Sequence, residues 1–263
     1  MRIRYSAYLL IAAGIAFALV SCGKSPSTEA PAGGGAPSGG QAVDAATAGS
    51  VNGTIKLDGV APVMHNINMS AEAYCVGQHP TPAKDESVVT GPGGTLANAV
   101  VYIQDDMSKY SFTAPSDPAK IDQKGCQYHP HIVGMMAGQT LQVTNSDNTT
   151  HNIHPVPKDN KEWNQSQAPG AAPLMEVFGR PENAILVKCN VHPWMRSYIF
   201  VFKNPYFSVT GSDGKFSIAN LPPGTYTIVA WQEQFGTATG TVTIGPKESK
   251  TVDISISAAA SGD

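Results

Sequence analysis

From residue 51 to the end of the chain, short runs rich in Val, Ile and Thr recur between clusters of Gly, Pro, Asn and Asp, and no stretch sustains the 3.6-residue apolar repeat of an amphipathic helix. That pattern predicts an all-β protein of short strands. Val51 to Leu57, closed by Asp58-Gly59, reads as a strand and its turn, and Pro62 to Met69 as a second extended piece. Gly91-Pro92-Gly93-Gly94 breaks the chain before a β-branched strand from Ala97 to Gln104, and Ser111 to Lys120 is a Ser/Pro-rich loop. His131 to Met136 and Thr140 to Thr144, joined by Ala137-Gly138-Gln139, are predicted to form a hairpin. Later strands are expected at Met175 to Phe178, Ala184 to Lys188, Tyr198 to Phe202, Tyr206 to Thr210, Lys215 to Ala219, Thr225 to Trp231, Thr237 to Ile244 and Lys250 to Ile256.

The first fifty residues follow a different rule. Arg2 and Arg4, the apolar stretch from Ala7 to Val20 and the small residue Ser21 make an export signal over residues 1–21, because about 14 apolar residues fall short of the ~20 needed to span a bilayer. Leu19-Val20-Ser21-Cys22 resembles the lipobox of bacterial lipoproteins. The resemblance implies that Cys22 is lipidated, and Gly23 after it, in place of Asp, favours the outer membrane. Residues 22–50 are Gly, Ala, Pro and Ser with almost no large apolar side chain, so they cannot offset their ordering entropy and read as a tether reaching about 30 Å. The remaining length suits one large or two small domains. Net charge is −3 with no Lys/Arg run, which excludes a nucleic-acid footprint.

The candidate chemistry lies in Cys189-Asn190-Val191-His192-Pro193-Trp194-Met195, which puts a thiolate, an imidazole and a thioether on one tight loop. Two His, one Cys and a weak axial Met form the ligand set of electron-transfer copper, so one more imidazole is required. Thr149-Thr150-His151-Asn152-Ile153-His154 offers two. Residues three apart on a strand face opposite ways, so both cannot serve one metal. His151 is the chosen ligand, and His154 takes a supporting role. A tetrahedral zinc site of His151, His154, Cys189 and His192 is the rival, and it leaves Met195 idle. The blander rival is a buried free Cys beside a core Met.

The His-Asn pair at 151–152 and the C-x-x-H-P-x-M loop at 189–195 resemble the cupredoxins, in their short-loop form, over roughly residues 120–202. The resemblance implies a Greek-key barrel with one mononuclear copper bound by His151, Cys189 and His192, and Met195 as the weak axial ligand. It further implies that Asn152 hydrogen-bonds the ligand loop, and that His192, with Pro193 and Trp194, forms a surface electron port. Val187 stands where the family favours an aromatic residue, and Ser197 where it often has Gly.

Export places the remaining cysteines in an oxidising compartment, where Cys75 and Cys126 are expected to form a disulfide worth about 4 kcal/mol. A second metal site built from these cysteines with His79, His129 and His131 is the alternative. No C-x-x-C-H occurs, so covalent c-type haem is excluded. Asp213-Gly214-Lys215-Phe216 and Leu221-Pro222-Pro223-Gly224-Thr225-Tyr226 resemble the later strands of the carboxypeptidase regulatory-like sandwich, a transthyretin-like fold. That segment alone has too few strands. The expected organisation is therefore a cupredoxin-like domain at 105–203 and a carboxypeptidase regulatory-like sandwich at 204–258, completed by strands from 51–104.

Together these readings predict an extracytoplasmic copper protein that shuttles single electrons and is not an enzyme. Its membrane contact is through the lipid anchor alone, on the periplasmic face of the outer membrane or the cell surface. Its partners are redox proteins such as a cytochrome or a dehydrogenase. Copper storage or delivery, and an envelope binding module with a structural metal, are the alternatives.

Overall fold

In the computed structural model, which describes residues 39–258, Gln41 bridges to Tyr110, so the last part of the tether segment lies against a loop of the folded chain. The export signal, Cys22 and the rest of the tether lie outside the described residues. Strand β1 (Gly49–Asp58) buries Val51, Gly53 and Ile55 on one face, as its alternation requires. The Pro62–Met69 stretch, expected to be extended, forms no strand and makes only an isolated bridge from Asn66 to Lys84. Val63 is exposed, while Met64, Ile67 and Met69 pack against the cores at a spacing that does not alternate as a strand's would. A six-residue helix, α1 (Ala73–Gln78), follows, capped by Glu72. Then come β2 (Val100–Ile103), β3 (Ala119–Lys124), β4 (Gln127–His129), β5 (Ile132–Met136), β6 (Thr140–Asn145) and β7 (His151–Val156). After these run β8 (Gln165–Gln167), β9 (Leu174–Val177), β10 (Glu182–Lys188), β11 (Arg196–Phe202) and β12 (Phe207–Val209). The chain closes with β13 (Lys215–Leu221), β14 (Gly224–Gln232), β15 (Gly236–Ile244), β16 (Ser249–Thr251) and β17 (Ile254–Ser257).

The fold is all-β, with four sheets in two packed pairs. One pair joins the sheet β13-β1-β16, with β17 also on β1, to the sheet β12-β2-β14-β15. Strands from residues 49–103 thus pair with strands from residues 207–257. Ile55, Leu96, Val101, Tyr206, Ile218 and Ile228 are among its buried core. The other pair is β5-β11-β10-β7-β8 and β4-β3-β6-β9, around Ile121, Tyr128, Leu141, Ile153, Val187 and Ile199.

The hairpin expected at 131–144 does not form. β5 pairs in parallel with β11, whereas β6 pairs in parallel with β3 in the other sheet. The turn at Gly138 therefore crosses between layers. Met136 N–H is satisfied by the Gln139 side chain at 3.0 Å rather than by a ladder partner. A hairpin forms instead just upstream at β3–β4, where Gly125 and Cys126 (φ 61° and 55°) make the two-residue turn between Lys124 and Gln127.

β11 buries both faces. Ile199 and Val201 point into the barrel core, and Phe200 and Phe202 into a third cluster shared with Val100 and Ile132. There Phe200 meets Trp231 at 4.8 Å between ring centroids, and Phe202 stacks on Phe207 at 4.4 Å. The ring of Phe207 also rests on Gly134, where a Cβ would lie 2.8 Å from it. An aromatic layer thus fixes the sandwich to the strand that leaves the ligand loop.

Candidate metal centre

Two antiparallel pairings bring the candidate ligands together. β7 runs beside β10, with Lys188 opposite His154, so the start of β7 and the end of β10 meet at one end of the barrel. β10 and β11 pair from Glu182↔Val201 to Lys188↔Arg196, which makes residues 189–195 the closed tip between them. That tip is held by Met195 N–H to His192 O at 2.9 Å and Cys189 N–H to Met195 O at 3.3 Å. A loop braced in this way lets little side-chain freedom remain at the ligands.

His151 is fully buried, Cys189 is 4 % exposed and Met195 1 %. The Nδ1 atoms of His151 and His192 face each other at 2.9 Å, and Cys189 Sγ lies 4.0 Å from His192 Nδ1. All three donor atoms fall within 4.8 Å of one another. Metal–donor bonds of about 2.0–2.3 Å place neighbouring donors about 3–4 Å apart, so this set fits one ion. Two nitrogens and a thiolate, with the thioether of Met195 in the same buried cluster, match copper better than a hard cation. His192 Nε2 is buried with no hydrogen-bond partner.

Surrounding groups fix the protonation of the set. Asp147 Oδ2 accepts from His151 Nε2 at 2.7 Å, which leaves the His151 Nδ1 lone pair free. The same carboxylate accepts the N–H groups of Gly125 and Cys126, each at 2.7 Å. Burial pushes Asp147 up, but the His151 bond and these two N–H groups hold it below the usual carboxylate range. Burial likewise pushes the Cys189 thiol up, and His151 with the backbone N–H groups of His192, Asn152 and Val191 brings it below its ordinary value. Two of those N–H groups reach Sγ at 3.3 Å from His192 and 3.4 Å from Asn152. Burial, then the neighbouring His151, lowers His192.

Asn152 ties the strand to the loop: its Oδ1 accepts Asn190 N–H at 3.0 Å, and its amide donates to Gln165 O at 3.1 Å. Tyr128 donates to Asn152 O, and burial together with the nearby Cys189 raises its phenol far above the usual range. His154 stands apart from the donor cluster, on Glu162 at 2.6 Å and Asn190 at 3.3 Å, which leaves the four-residue zinc set incomplete. His192 does not form a surface port: it is 2 % exposed, with the Trp194 ring packed on it at 5.1 Å, while Val191 beside it is 51 % exposed. Trp194 is itself anchored, its Nε1–H donating to Cys126 O at 3.1 Å.

Cys75 and Cys126 are joined in a disulfide, 51 residues apart. The histidines near them go elsewhere: His79 to Gly125 O, His129 to Lys124 O, and His131 to Glu233 at 2.7 Å. Among the described residues they form no donor cluster with either cysteine. Asp147 and Tyr74 are the participants that sequence reading missed. Asn145-Ser146-Asp147-Asn148 looks like an ordinary turn, and only the spacing of four between Asp147 and His151 hinted at more.

Residues 201–257 match the family model for the carboxypeptidase regulatory-like domain. Among solved structures the chain is similar to a Cu-containing nitrite reductase from Thermus scotoductus SA-01, with 15 % identity over 38 % of this chain and a TM-score of 0.31. It spans 25 % of that reductase's length. It is also similar to a purple cupredoxin from Nitrosopumilus maritimus (22 % identity, 32 % of this chain, 99 % of that one, TM-score 0.28). A Cu(I) form of an amicyanin mutant matches at 18 % identity, over 34 % of this chain and 97 % of that one, with a TM-score of 0.28. No curated protein matches.

Proposed function

We propose that this chain is an extracytoplasmic, lipid-anchored protein that binds one copper ion and carries single electrons between redox partners. The observation that carries the reading is the convergence of His151 Nδ1, His192 Nδ1 and Cys189 Sγ in a buried pocket. Copper held there would supply a one-electron Cu(I)/Cu(II) couple, with the soft sulfurs suiting one state and the imidazoles the other. The protein's own part is to hold these donors still. Asp147 keeps the His151 proton on Nε2, the Asn152 and His192 N–H groups steady a thiolate, and Ile153, Ile185 and Val187 exclude water. Nothing in this set handles a bond-making substrate, so the reading is a carrier rather than an enzyme.

The test is to load the full chain with Cu(II) and record its visible spectrum and voltammogram. The expected result is an intense thiolate-to-copper band, absent in Cys189→Ser, with a reversible one-electron wave. A colourless protein that prefers zinc defeats the copper reading. Copper that binds without a reversible wave and passes readily to an acceptor favours storage or delivery.

A further inference from the structure

His192 is almost fully buried, packed between the rings of His151 and Trp194, although its loop neighbours Asn190, Val191 and Pro193 are exposed. The segment Met69–His79, from the long link between β1 and β2, reaches the same end of the barrel. We infer that this segment is a fixed cover over the ligand cluster, locked by the Cys75–Cys126 disulfide, and that it retains a bound ion and admits one only before the disulfide closes. The inference deepens the copper reading and rests on it for the identity of the ion.

Four independent anchors hold the segment down. Cys75 is bonded to Cys126 in the β3–β4 turn, whose N–H is in turn bound by Asp147. The Tyr74 hydroxyl donates to Asp147 Oδ1 at 3.3 Å and accepts Asn148 N–H at 2.8 Å, so it sits directly on the carboxylate that orients His151. His79 binds Gly125 O at 2.6 Å. Met69, 5 % exposed, packs in the cluster that contains Cys189 and Met195. The cover is one layer thick: α1 buries Cys75 and leaves Val76 50 % exposed. Glu72 caps α1, its carboxylate accepting the Tyr74 N–H at 3.4 Å.

Both cysteines are fully buried. Thiol–disulfide exchange needs access to a sulfur, so a seated cover protects its own staple, and the device is a lock rather than a switch. Assembly then has an order. The open dithiol form exposes the ligands and takes up the ion. The two thiols next give two electrons and two protons to a disulfide-bearing oxidant as the Cys75–Cys126 bond forms.

Reactivity of the Cys189 thiol reads the cover without any metal. In the metal-free full chain, alkylation at Cys189, followed by mass spectrometry of its peptide, should be at least about tenfold faster in the Cys75→Ser/Cys126→Ser double variant than in the disulfide-bonded parent, since release removes a local opening cost of more than 1.4 kcal/mol. In copper-loaded protein, extraction by an excess of Cu(I) chelator should accelerate by a similar factor. Tyr74→Ala, with the disulfide intact, should accelerate both by a few-fold and serves as the test if circular dichroism finds the double variant unfolded. Equal labelling rates in folded variants and parent overturn the cover. A parent that binds no copper yet protects Cys189 overturns only the copper reading.

Discussion

The two halves of this molecule use their buried polar groups differently. In the sandwich, the buried polar side chains serve the local backbone. Thr210 donates to Leu96 O at 2.7 Å and accepts Ala99 N–H at 3.0 Å, and Gln232 accepts Gln234 N–H at 2.8 Å while donating to Ser87 O. In the barrel they bind backbone too, but several also bind one another: Gln123 to Gln167, Asp147 to His151, and His151 against His192. Among the described residues, the buried polar side-chain atoms left without partners, Gln123 Oε1 and His192 Nε2, both lie in the barrel, and His192 belongs to the donor cluster. A closed polar inventory costs little and does little beyond holding the fold. An inventory with spare donor capacity, gathered in one place, marks where a ligand belongs. The sandwich therefore reads as scaffold and the barrel as the working part.

That division can be broken first at the seam. Phe200 is 1 % exposed and packs on Trp231 and Phe202, on the face of β11 turned away from the ligands. Phe200→Ala should cost about 4 kcal/mol, read by chemical denaturation, and should leave any copper spectrum of the native protein unchanged. A shifted spectrum would mean that the two halves are electronically as well as mechanically joined. The next effect is ionic. His131 and Glu233, each 8 % exposed, bridge the barrel to the end of β14 at 2.7 Å. His131→Ala leaves a buried carboxylate unpaired and should cost about 3 kcal/mol.

The same pair predicts a pH dependence. Burial pushes His131 down, but Glu233, Glu86 and Asp85 together raise it above the ordinary histidine range. A raised folded pKa gives stabilisation that is complete below the unfolded value of about 6.5 and is lost as pH rises through the higher folded value. The parent should lose denaturant resistance over that window, and His131→Ala should lose less of it, the remainder coming from His151, which burial pushes down but Asp147 and Cys189 raise above its ordinary value. Smaller again is the working part's own support. Asp147→Asn should weaken copper binding by about 10–100-fold, measured by competition titration, because the His151 proton loses its anionic acceptor.

How much of this was legible in the sequence depended on how local each feature is. The 189–195 loop was readable because its donors are contiguous, and His151 because strand geometry separates it from His154. The strands from 207 to 257 were readable because Gly, Pro and Asp mark each turn. The pairing of 132–136 with 140–145 was misread because a short turn does not oblige its flanking strands to pair. The burial of Ile132, Val133, Met135 and Met136 on both faces of β5 sends it beside β11 instead. Asp147 was hidden because its donors sit at Gly125, Cys126 and His151, brought together only by the fold. The burial of His192 was unreadable from its own loop, since the His151 ring packed on it is brought there only by the fold, and the Trp194 ring is held over it by Cys126 O.

The smallest effect tests the scaffold reading most directly. The Leu221-Pro222-Pro223-Gly224-Thr225-Tyr226 run carries its own hydrogen bond: the Tyr226 hydroxyl donates to Pro222 O at 2.8 Å, across the corner that starts β14. Burial raises Tyr226 to about 12, so the hydroxyl stays protonated and donating through the neutral range. Tyr226→Phe keeps the ring in the core and removes only the donor, at a cost of about 1 kcal/mol. Because the loss is confined to a closed polar inventory, the copper band, the redox wave and the Cys189 labelling rate should all stay at parent values. A change in any of them with so small a loss of stability would show that the sandwich takes part in the chemistry of the barrel, and the division between scaffold and site would fall.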